Sequence, residues 1–79
     1  MKTTRIDVRP LLDRGENPLP RLLEAAERLG AGDELEVTAP FLPAPLIEKL
    51  RGDGFVFQVR QAGAGAWVVV FRRPDSPEK

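Results

Sequence analysis

Side chains able to do covalent chemistry are almost missing from this sequence. It has no Cys, no His and no Tyr, and its only serine is Ser76. A Ser–His or Cys–His pair cannot be assembled within one chain, so nucleophilic catalysis by that route is excluded. The imidazole and thiolate ligands that transition metals prefer are absent too. The lysines are Lys2, Lys49 and Lys79, and none lies in an apolar run that would bury it for acid–base work. Asp13 and Glu16 could approach a hard cation, but two loop carboxylates are ordinarily solvated. Neither a metal nor a cofactor is expected, and the chain reads as a non-enzyme.

The remaining polar groups gather at one corner, made by Arg9, Arg14, Asn17, Pro18, Pro20 and Arg21. Asn17 is a preferred N-cap and Pro18 suits a first helical position. Helix starts usually attract anions through free amides and the dipole. Here Pro18 and Pro20 have no N–H, and Asn17 is placed to take the Leu19 amide. The three arginines supply charge instead, offset by Asp7, Asp13 and Glu16. These six residues are the candidate ligand- or partner-binding corner.

The helix that carries this corner is specified well. Leu19, Leu22, Leu23, Ala26 and Leu29 recur at helical spacing and should face a core. Glu24 and Arg28 stand four apart on the outer face, and Gly30 can turn the chain. Before the helix, Thr4–Val8 alternates as a strand with Ile6 and Val8 inward, and Arg9–Glu16 reads as a loop that tucks Leu11 and Leu12 against the core. After it, Asp33–Thr38 alternates with Leu35 and Val37 inward. Pro40, Pro43 and Pro45 bar a strand. Leu46, Ile47 and Leu50 mark a second helix ending near Gly52 or Gly54. Phe55, Phe57 and Val59 form the inner row of a third strand, Gly63-Ala64-Gly65 a hairpin turn, and Trp67–Phe71 a fourth strand.

The last strand is apolar on both faces, as a central strand is. Trp67, Val69 and Phe71 should lie under the helices. Val56, Val68 and Val70 then fall on the helix-free face as a possible contact patch, suited to a second copy or another domain. From Arg72 a charged, proline-containing tail begins, flexible over 74–79. The fold class is thus α/β: a two-layer sandwich in the order strand-helix-strand-helix-strand-strand. Its four-stranded mixed sheet carries both helices on one face, since right-handed crossovers place them so. Residues 1–73 form one domain.

Seventy-nine residues are enough for a single small core. Twelve basic and twelve acidic residues cancel and interleave, whereas nucleic-acid domains carry a basic excess. Nucleic acid is therefore disfavoured as a partner. The sequence has no apolar leader and no run of about 18 apolar residues. No membrane association is expected, and the localisation expected is cytoplasmic.

The strand and helix order, an Asp near the end of the first strand and a Pro-x-Pro pair opening the first helix resemble the TusA/SirA-like sulfur-carrier superfamily. Carriers read Cys-Pro-x-Pro, and that cysteine holds a persulfide. This chain has Asn17-Pro18-Leu19-Pro20, and an amide cannot hold sulfane sulfur. The chain is more similar to an uncharacterised bacterial branch with Asp-Val-Arg-x-Leu, Pro-Leu, Pro-x-Pro-Leu and a late Trp. Those appear as Asp7-Val8-Arg9-Pro10-Leu11, Pro18-Leu19, Pro43-Ala44-Pro45-Leu46 and Trp67, over residues 5–73. The resemblance implies a carrier scaffold without its nucleophile. Its expected role is a non-catalytic binding or adaptor module whose partner is another protein. The alternatives are a partner-dependent component of sulfur or redox metabolism and, least favoured, RNA binding by fold analogy.

Overall fold

The computed structural model describes residues 2–63 and 65–74. Seven elements follow one another: β1 (Thr3–Asp7), α1 (Arg9–Asp13), α2 (Leu19–Glu27), β2 (Glu34–Ala39), α3 (Ala44–Gly52), β3 (Val56–Gln61) and β4 (Trp67–Arg72). The sheet order is β1-β2-β4-β3, with β1 parallel to β2 and β4 antiparallel to both its neighbours. This is the expected two-layer α/β fold with a four-stranded mixed sheet. β4 is central, as its two apolar faces require.

The core lies between the helices and one face of the sheet. Leu35, Val37, Ala39, Val69 and Phe71 project from β2 and β4. They meet Leu11 from α1, Leu22 and Ala26 from α2, and Leu46, Ile47 and Leu50 from α3. Each fully buried Leu or Phe contributes roughly 1.5–3 kcal/mol. On the opposite face, the register sets Arg5 beside Glu36 and Val70 beside Gln58. Arg5 and Glu36 form an ion pair of 3.6 Å there.

Five expectations need correction. The segment Arg9–Glu16 is not a plain loop, because α1 occupies its first five residues. Asp7 starts this helix by accepting the Arg9 N–H at 3.0 Å. Gly15 ends it: Glu16 donates to the Leu11 carbonyl and Gly15 to that of Leu12, both at 2.9 Å. That double bond is a Schellman stop, which needs the positive φ of 77° that glycine adopts without strain.

The inner row of the third strand fades along its length. Phe55 is buried and Phe57 half-buried, but Val59 is 41% exposed, because β3 is an edge strand reaching past the helices. Trp67 is on the helix side yet only half-buried, opposite Ala39 and Gln61 at the end of the sheet. The three-valine patch is not a uniform exposed surface. Val56 is exposed and Val70 half-buried, whereas Val68 is buried on the central strand between Thr38 and Arg60.

The tail also begins later than expected. Arg72 closes β4, and Arg73 exchanges backbone hydrogen bonds with the turn before β2. Its N–H donates to Asp33 at 3.1 Å, and its carbonyl accepts from Gly32 at 2.9 Å. Gly63 and Gly65 have the positive φ of a tight hairpin, while Ala64 and residues 75–79, with most of the expected tail, lie outside the described residues.

Candidate functional site

Two helix starts and one proline-rich loop build the candidate corner, and the starts share a device. Asn17 Oδ1 accepts the Leu19 N–H at 3.1 Å, as Asp7 Oδ1 accepts that of Arg9. In each case the capping residue is followed by a helical residue, the bonded amide, and then a proline: Asp7-Val8-Arg9-Pro10 and Asn17-Pro18-Leu19-Pro20. The side-chain oxygen satisfies one orphan amide, and the proline removes another without cost. Pro18 adopts helical angles of −77° and −12°, so Asn17 is the cap by its geometry. A helix start so depleted of donors is a poor anion site.

The arginines of the corner do not converge. Arg9 folds back onto Asp7 with three contacts, Nη2 to Oδ2 at 2.6 Å and Nε to Oδ1 and Oδ2 at 2.9 and 3.2 Å. These hydrogen bonds, and the Arg9 amide, hold the Asp7 carboxyl below its ordinary pKa and raise that of Arg9. Arg14 pairs with Glu16 at 3.0 Å. Arg21 lies on the outer side of α2, in a depression with Thr4, Glu24 and Arg28. Pro20 is exposed on the first turn of α2.

What the structure does bring together around Asn17 and Pro18 is apolar. A cleft of about 260 Å³ opens between the first turn of α2 and the loop that leads into α3. Leu12, Pro18, Leu19 and Leu22 form one wall, and Phe41, Pro43, Pro45 and Leu46 the other. Glu16 and Asn17 are its polar residues. Pro43 and Leu46 are buried beneath it, while Phe41 and its neighbour Leu42 remain 48% and 44% exposed. Sequence reasoning passed over Phe41, Leu12 and the second proline pair as site residues. The signal available was the repetition of Pro-x-Pro at two helix starts, which the parallel strands β1 and β2 deliver to the same end of the sheet.

Among the described residues, no group of three or more His, Cys, Asp or Glu is placed to hold a metal ion. None of the helices described is long and apolar enough to cross a membrane.

The chain is thus a small two-layer α/β domain with an apolar cleft between its helix starts. The chain belongs to the family described as Uncharacterized conserved protein (DUF2249), whose model matches residues 5–73. The match starts inside β1 and ends at Arg73, so it takes in all of the elements but the first two residues of β1. No curated protein and no solved structure matches the chain.

The motif residues now have physical roles. In Asp7-Val8-Arg9-Pro10-Leu11, Asp7 caps α1 and pins Arg9, while Val8 and Leu11 enter the core. Val8 also extends the ladder by donating to the Thr38 carbonyl at 2.9 Å.

Proposed function

We propose that this protein is a non-catalytic binding or adaptor module. Its cleft at Asn17, Pro18, Phe41, Pro43 and Pro45 receives an apolar segment of a partner protein. The observation that carries this reading is the cleft itself. Exposed Phe41 lines it with the rigid prolines Pro18, Pro43 and Pro45 around it. Preformed apolar clefts with a few fixed polar groups are where ligands and peptides bind, and proline-stiffened walls lose little entropy on binding. The likeness to sulfur carriers supports the same corner, because Asn17 stands where the carriers have their reactive cysteine. An amide there keeps the scaffold and gives up persulfide transfer.

The test is a random-peptide display selection on the immobilised chain, followed by titration of the enriched peptide into isotope-labelled protein. Enriched sequences should be rich in Leu, Phe or Trp, and amide shifts should cluster at Leu12, Leu19, Leu22, Phe41 and Leu46. Shifts confined to the helix-free sheet face would overturn the reading.

A partner-dependent role in sulfur or redox metabolism is the second reading, favoured by Asn17 lining the cleft. Incubation with a cysteine desulfurase and cysteine separates the two. The adaptor reading predicts no sulfur on the intact protein, and a stable added sulfur atom would contradict it.

A further inference from the structure

The two edges of the sheet are guarded differently. β1, with the sequence Thr-Thr-Arg-Ile-Asp, is short and charged at Arg5 and Asp7. β3, Val-Phe-Gln-Val-Arg-Gln, has one charge, Arg60, and no proline. Natural edges are normally blunted by charge, proline or brevity. Val56 and Val59 are 49% and 41% exposed, and an odd spacing puts them on opposite faces of the strand.

The phase of the ladder shows which backbone groups are free of β4. Ala62 donates to the Ala66 carbonyl at 3.0 Å, and the register continues as Arg60 with Val68, Gln58 with Val70 and Val56 with Arg72. Bonded pairs alternate along an antiparallel ladder. Phe57, Val59 and Gln61 therefore turn their N–H and C=O groups outward, away from the sheet.

We propose that this edge pairs antiparallel with β3 of a second copy about a two-fold axis at Val59, making a continuous eight-stranded sheet from two four-stranded ones. A row of outward donors and acceptors is complementary to another β-strand. Both helix layers stay on one side only when opposed residues have the same parity. Centring on Val59 opposes Val59 to itself and Phe57 to Gln61, which uses all three outward-facing residues of each copy. Arg60 then stands opposite Gln58, so no two like charges are directly opposed and the two Arg60 side chains meet only on the diagonal. The chain's zero net charge adds no repulsion between copies. This pairing uses none of the residues that line the cleft.

Sedimentation of the full chain from micromolar to millimolar concentration tests the proposal, together with amide hydrogen exchange. The mass of two chains is expected at the upper end, with exchange at Phe57, Val59 and Gln61 slowed by about tenfold or more. Val59→Lys should abolish both while leaving the circular dichroism spectrum unchanged. If that variant fails to fold, Val59→Cys supplies the readout. It would place the chain's single thiol about 5.5 Å in Cα separation from its copy, within disulfide reach. It should then cross-link under mild oxidation, whereas Val56→Cys, opposite Ala62, should not. A monomer at every concentration, exchange at these three amides independent of concentration, or a Val59→Cys chain that stays monomeric would each overturn the proposal.

Discussion

Two carboxylates accept backbone amides in the folded chain, Asp7 locally and Asp33 across distant segments. Asp33 takes the Lys2 amide on Oδ1 and the Gly30 amide on Oδ2, each at 3.0 Å. It thereby joins the start of the chain to the turn after α2. The Gly30 and Lys2 amides lower its pKa, as Arg9 lowers that of Asp7. A folded pKa below the unfolded value of about 3.9 means that the contribution is complete above that value and is lost as pH falls through the folded one. Stability should therefore be flat near neutrality and drop below about pH 4. Asp33→Asn should be less stable at pH 7 and show a shallower acid limb, measured by urea denaturation across pH. An unchanged acid limb would remove Asp33 from this role. Asn17→Ala, which deletes the cap of α2, should cost about 1 kcal/mol. Asn17→Asp should retain most of that stability, since the capping oxygen stays.

At the scale of elements, the two longer helices are legible because their apolar spacing and stop signals agree with their tertiary surroundings. Leu22 and Ala26 are buried where the period places them. α3 ends as Gly54 predicts, with Phe55 donating to Leu50 at 3.0 Å and Gly54 to Arg51 at 3.0 Å. α1 escaped because five residues are too few for a period, and Pro10 reads as a break. In the first turn Pro10 is harmless, since no amide is needed there. Val59 was misplaced for another reason. Alternation gives the face of a strand but not its position in the sheet, and an edge strand outruns its cover.

Arg73 shows the same limit. It reads as tail, but its side chain reaches between α2 and α3. Nη2 donates to the Ala26 carbonyl at 3.4 Å, and the guanidinium lies 5.0 Å from the Phe55 ring centroid. A cation at the C-terminal end of α2 is favourable. Arg73→Ala should lower stability by about 1 kcal/mol and the melting temperature by roughly 4–8 °C, measured by thermal denaturation. A variant as stable as the parent would reduce Arg73 to a bystander.

For the molecule as a whole, the architecture was readable and the site only partly so. β4 declared itself central by being apolar on both faces, and this fixed a mixed sheet with one covered side. The corner at Asn17 was read as arginine-lined because charge is visible in a sequence and pairing is not. Folding turns Arg9 onto Asp7 and Arg14 onto Glu16, leaving prolines and Phe41 around Asn17. Leu46 joins the core to the cleft floor, so Leu46→Ala should cost about 2–5 kcal/mol and loosen both, read by urea denaturation and cleft amide shifts. We propose the cleft, not the valine-bearing sheet face, as the surface that receives the partner protein.

The affinity of a display-selected peptide for three forms of the chain tests this most directly. Relative to the parent, Phe41→Asp should bind at least about tenfold more weakly, a loss of roughly 1.4 kcal/mol, with its fold intact. Val56→Asp should bind as the parent does. Equal binding by Phe41→Asp, with the loss transferred to Val56→Asp, would contradict the account.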